Sequence, residues 1–218
     1  MSFSESISII AYLVILVFML VIVQGIANTI NKFFQKKMIR SKNKNEMSAY
    51  NKSIKKSIQV VYDIQEELKH IRQYLKCNAA QIWLYSNGEK AFFGVCFNYQ
   101  SIKHEDVEYG FPSIIQSSMK IATTATPYLS EMMFNHPKEI VAIKSVKNFD
   151  IPDKVIFESM KLASLCCAAI QIKNMTIGYL LVGWLGNERQ KDFDDEEIQE
   201  IENTAQRLSG KFSLLEKL

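Results

Sequence analysis

Hydrophobic and polar positions divide the chain into an apolar block, a basic stretch and a long patterned region. Ile7 to Val23 reads ISIIAYLVILVFMLVIV, and no charged residue occurs from Ser6 to Asn31. Extended through Ala27, the block reaches the roughly 20 residues that a bilayer-spanning helix needs. The residues before it, MSFSES, hold one acid and no Lys or Arg. A cleaved signal peptide has a basic start and a shorter apolar run. The pattern therefore predicts a short tail over 1–6 and an uncleaved transmembrane helix over 7–27. Lys32, Lys36, Lys37, Arg40, Lys42 and Lys44 follow, with no acid before Glu46. Basic flanks prefer the cytoplasmic side, so the expected topology is N-terminus out and the rest of the chain in the cytoplasm, at an inner or plasma membrane. Residues 28–50 read as a polar, basic juxtamembrane linker in contact with the bilayer surface.

From residue 51 the pattern becomes helical. Ile54, Val61, Leu68 and Leu75 recur every seven residues, with Ile64 and Ile71 three residues after two of them. This spacing predicts a helix over 51–75 with an a/d stripe. AQIWLY, Ala80 to Tyr85, has the aromatic and β-branched content of a strand. Asn87-Gly88 is a two-residue turn signal, and Phe92 to Tyr99 reads as the returning strand. Residues 100–139 are less regular. Pro112 is placed to open a short helix carrying Ile114, Ile115, Met119 and Ile121, ended by TATP at 124–127. Leu129 to Phe134 reads as a helical turn, Ile140 to Ile143 as a short strand, and Pro152 as the start of a helix bearing Val155, Ile156, Met160 and Leu162.

The end of the chain is the most regular. Leu165 to Ile172 and Thr176 to Leu185 flank a tight turn at Lys173-Asn174-Met175. The second of these runs is nearly all apolar, as expected of a strand covered on both faces. Acids crowd Asp192 to Glu197, where a helix dipole favours them. Ile198, Ile201, Ala205, Leu208, Phe212 and Leu215 then follow at spacings of 3-4-3-4-3. Hairpins beside helices predict an α+β fold, an antiparallel sheet flanked by helices. The two heptad helices predict a homodimer with Leu68, Leu75, Ile201, Leu208 and Leu215 in its seam.

Composition narrows the chemistry. The net charge of +3 over 218 residues is close to neutral, and the basic cluster lies nearest the membrane with its aromatics, Phe33 and Phe34, not interleaved through it. That pattern fits a lipid surface and not nucleic acid. Cys77, Cys96, Cys166 and Cys167 form no metal spacing with the scattered His70, His104 and His136. They read as buried, reduced residues, and no cofactor or metal is expected. No nucleophile has an evident partner base, so the reading is of a non-enzyme. Tyr85, Phe97, Tyr99 and Phe111 are the candidates for lining a ligand pocket, against the alternative that such aromatics fill the core.

The stretches Ala79–Phe97, Ser164–Trp184 and Asp192–Leu215 resemble a GAF domain, and the resemblance spans residues 51–218. It implies a GAF/PAS-like sheet with a ligand-facing middle segment. AAQIWLYSNGEKAFFGVCF is similar to the hairpin of phage-encoded, membrane-tethered GAF-like proteins. The region NMTIGYLLVGWLGNE to NTAQRLSGKF resembles, more remotely, the end of the T-even phage holin, whose globular domain is periplasmic. The functional expectation is a membrane-anchored regulatory or interaction module that binds an unknown protein partner or small ligand. The alternative is a holin-like, lysis-timing membrane protein.

Overall fold

The computed structural model describes residues 50–86, 98–115, 120–189 and 192–216. The chain divides into two compact units, Met1–Lys55 and Lys56–Leu218. In the first, only 50–55 are described, and they are helical. The expected transmembrane helix over 7–27, the linker, and Lys32, Lys36, Lys37 and Arg40 lie outside the described residues. Among those described, no helix is long and apolar enough to cross a membrane.

Residues 50–75 form helix α1. Six strands make one sheet: β1 Ala79–Ser86, β2 Tyr99–Val107, β3 Ile121–Ala122, β4 Val141–Ile143, β5 Leu162–Ile172 and β6 Met175–Leu185, in the order β3-β2-β1-β6-β5-β4. All the pairings are antiparallel. Between the strands lie α2, Pro127–Asn135, preceded by a 3-10 turn at Thr123–Ala125, and α3, Lys154–Ser159; α4, Asp195–Glu216, follows β6.

The sheet is covered on both faces because its central strands are apolar on both. On one face, Ala80 and Ile82 of β1, Cys166, Ala168, Ile170 and Ile172 of β5, and Leu180 and Val182 of β6 meet α1 and α4. On the other, Trp83, Tyr85, Leu165, Cys167, Tyr179 and Leu181 meet α2, β4 and α3. The split follows the two-residue period of a strand. Cys166 and Cys167 accordingly fall in different cores.

Several expectations change. β1 pairs along its length with Tyr99–Val107, Ser86 opposite Tyr99 and Ala79 opposite Val107, and β6 takes its other edge from Ala79 to Leu84. The strand returning to β1 is therefore 99–107 and not 92–99; the Asn87-Gly88 turn lies outside the described residues. Lys173 (φ 51°) and Asn174 (φ 63°) both have positive φ and join β5 to β6 with the handedness that a twisted hairpin needs. No helix opens at Pro112: residues 112–114 are irregular and Ile121 belongs to β3. Leu162 starts β5 and not the end of a helix.

The heptad stripes also serve a different purpose. Leu68, Leu75, Ile201 and Leu208 are buried against the chain's own sheet, and Leu215 packs at the border of that core. The helices run side by side, tied by Arg207 Nε to Glu67 (2.8 Å) and Lys211 to Glu67 (3.4 Å), with Glu200 of α4 holding Arg207 Nη2 at 2.8 Å within its own helix. Four of the five residues assigned to an intermolecular seam are thus spent within one chain.

β1 and β6 approach closely where β6 has no side chain. A Cβ on Gly178 would stand 2.0 Å from the Trp83 carbonyl oxygen, a backbone atom that cannot turn away. Replacing Gly178 with Ala should therefore separate β1 from β6 and cost roughly 2–4 kcal/mol of stability, read as a lower denaturant midpoint. An unchanged midpoint would show that the strands absorb the methyl group.

Candidate functional site

The described candidates for a ligand pocket are not brought together. Tyr85 is buried, its ring 4.7 Å from Phe134 and 5.8 Å from Tyr179 between centroids. Burial pushes its phenol well above the ordinary value. Tyr99 and Phe111 are each 38% exposed. Tyr99 opens β2, whereas Phe111 lies beyond its far end, in the turn where its N–H donates to the Glu108 carbonyl. Phe97 lies outside the described residues. Tyr85 thus fills a core, and the other two lie on separate surfaces.

The face that carries Tyr85 is closed by aromatic packing and by a buried polar chain. Trp83 and Tyr179 stack with centroids 5.9 Å apart and planes 8° from parallel. Tyr179 Oη donates to Gln100 Oε1 (2.9 Å), and Gln100 Nε2 donates to Thr126 Oγ1 (2.5 Å). Ser130 Oγ donates to the Thr123 carbonyl at 3.1 Å. These contacts tie β6 and β2 to the turn before α2 and use side-chain groups that would otherwise be available to a ligand.

Asp153 is fully buried beside this face. Its carboxylate accepts the N–H of Tyr128 (2.9 Å) and of Leu129 (2.8 Å), capping α2 from a distant loop. The cap answers the orphan N–H groups that every helix start carries. Burial raises the pKa of Asp153 above its ordinary value, with the two backbone bonds opposing the shift.

The acidic run before α4 is also structural. Asp194 Oδ1 accepts the Glu197 N–H (2.9 Å), and Glu197 Oε2 accepts the Asp194 N–H (3.1 Å), a reciprocal capping box. Arg189 Nη2 bonds the same Glu197 oxygen, and its guanidinium lies 5.0 Å from the Trp184 ring and 4.3 Å from that of Phe193. Asp192 pairs with Lys144 at 2.9 Å. Among the described residues, no group of three or more His, Cys, Asp or Glu is placed to hold a metal ion.

The described cysteines are buried, which pushes the Cys77 thiol up to about 12 and raises those of Cys166 and Cys167 well above the ordinary thiol value. A thiol so far from ionisation is a poor nucleophile. His104, lowered by burial, stands with its ring 6.2 Å from that of Phe212.

A recess lies at the outer edge of β5, a groove of about 470 Å³. Ala168, Ala169 and Gln171 form its floor; α4 supplies Glu202, Ala205, Gln206 and Ser209 on one side, and the loop before β4 supplies Pro137 to Ile140 on the other. Nothing in the periodicity of β5 marked this site, because it arises from the shortness of β4.

No family model and no curated protein matches this sequence. Solved structures do match. GAF3 from Slr1393 of Synechocystis sp. PCC6803, in its photoproduct state, aligns with a TM-score of 0.57 at 13% identity, covering 72% of this chain and 96% of that one. The blue-light absorbing form of the PixJ GAF domain from Thermosynechococcus elongatus gives 0.55 at 14%, covering 72% and 89%. The fold is GAF-like. The chromophore-binding domain of the bacteriophytochrome RpBphP3 from R. palustris aligns at 0.56 and 12% identity, over 77% of this chain and 63% of that one. At such identities the likeness is one of backbone architecture, and the side chains inside this GAF-like domain are its own.

The Asp153 cap generates a prediction with a sign. A carboxyl whose folded pKa is raised contributes most below its unfolded value of 3.8 and loses that contribution as pH rises through the folded value. Asp153→Ala should cost roughly 1–3 kcal/mol by orphaning buried N–H groups. Asp153→Asn keeps one acceptor and removes the titration. Denaturant midpoints from acid to neutral pH should show wild type losing ground to Asp153→Asn as pH rises; parallel curves would refute the assignment.

Proposed function

We propose that the chain is a membrane-anchored, non-enzymatic regulatory module whose GAF-like domain binds a protein partner or small ligand on the cytoplasmic side. The observation that carries this reading is the backbone likeness to GAF domains of light-sensing receptors. The apolar block at 7–27 and its basic flank supply the anchor and the orientation. The described chemistry-bearing side chains support a non-catalytic role: Asp153, Asp194 and Glu197 cap helices, and the three described thiols are buried. One structural neighbour is a chromophore-binding domain. In this chain, Trp83, Tyr85 and Tyr179 pack together on the sheet face opposite the long helices, and the reading is of recognition at a surface.

Protease protection of the full chain in bacterial membranes tests the reading. The domain should survive protease added to intact spheroplasts and be digested in inverted vesicles. Digestion in intact spheroplasts would place the domain outside, overturn the proposal, and favour the lysis-timing alternative with its periplasmic domain.

A further inference from the structure

β5 has eleven residues, Leu162–Ile172, yet β4 covers it only from Leu165 to Cys167. The Val146 N–H donates to the Ala163 carbonyl (2.8 Å), so the backbone groups of odd-numbered β5 residues point outward, away from β6. By that alternation, Ala169 and Gln171 present their N–H and C=O groups to the groove. The Gln171 N–H is taken by Ser209 Oγ at 3.0 Å. Ala169 is only partly buried, and no strand lies beside it among the described residues. The loop that could have continued β4 turns back on itself, with the Glu139 N–H donating to the His136 carbonyl at 2.9 Å.

An open strand edge is a template for another strand. On the strand itself, Ala168 and Ala169 have neither bulk nor charge; Pro137 and Lys138 stand on the facing loop, across the groove. The groove's volume of about 470 Å³ suits a few extended residues, since a recess of this order accommodates a drug-sized ligand. An occupant without backbone groups would leave the outward C=O groups of Ala169 and Gln171 unmatched. On the α4 side, Glu202 is the charged wall residue, and on the loop side Glu139 already stands 3.2 Å from His136 beside Lys138.

We propose that the β5 edge groove binds an extended segment of a partner protein by strand addition, with small or β-branched side chains over Ala168 and Ala169 and a basic side chain facing Glu202. The proposal rests on reading the chain as an interaction module and names the surface that the module would use.

The test uses the full chain in detergent and a fluorescein-labelled peptide, Thr-Val-Lys-Val-Thr, blocked at both ends. Anisotropy should show saturable binding, and amide exchange should slow at Ala168 to Gln171. Methylating the peptide nitrogens that face β5 should weaken binding by about tenfold or more, the loss expected from breaking strand hydrogen bonds, while methylating the alternate nitrogens should change little. Lack of binding at millimolar peptide, equal binding by both methylated forms, or protection elsewhere in the chain would overturn the proposal. So would concentration-dependent protection of Ala168 to Gln171 without peptide, which would assign the edge to a second copy. The assay does not depend on which side of the membrane the domain faces, so its failure and that of the topology test are separable.

Discussion

The structure depends on the double burial of the β5–β6 hairpin. Leu180 and Val182 of β6 face the two long helices, and Tyr179 and Leu181 face the opposite way. A strand that is apolar on both faces cannot leave either one to water, so the chain needs a layer on each side. Helices α1 and α4 supply one layer. The irregular middle of the chain, with α2 and α3, supplies the other. The layout of the fold follows from that requirement, including the placement of strands of eleven residues at β5 and β6 and of short ones at the margins.

Buried polar groups then fix how the layers sit. Glu197 is shared by a capping box and by Arg189, whose own N–H donates to Ser164 Oγ at 2.7 Å. This arrangement ties the start of α4 to the first residues of β5. Asp153 does the same for α2, and the Tyr179–Gln100–Thr126 chain ties β6 through β2 to the turn preceding it. Buried charges are tolerated only when their partners are in place, so these groups specify registry more than they add stability. Each of these groups has a packing partner that explains it.

A GAF-like backbone does not by itself fix a ligand chemistry. Function rides on the side chains placed on a fold, and here the sheet face opposite the long helices carries stacked aromatics and satisfied amides. One open feature among the described residues is peripheral, a groove with β5 as its floor and with walls from α4 and one loop.

Local pattern determined a good deal by itself. The 3.6-residue period of 51–75 and 194–215 and the apolar run of β6 reflect short-range physics, and each of these elements stands where its pattern put it, whereas Pro127, read within TATP as ending a helix, opens α2. The GAF-like class followed from their order. Tertiary structure alone decided what those patterns were for. A heptad stripe is equally satisfied by a partner helix and by a sheet, and Leu68, Ile201 and Leu208 meet the sheet of their own chain. Strand pairing is non-local, so the residues after the Asn87-Gly88 signal looked like the partner of β1 when Tyr99–Val107 holds that edge. Alternation assigns Tyr85 to a face of the sheet, but whether that face holds a cavity depends on Phe134 and Tyr179, which are distant in sequence and in contact only once the chain has folded.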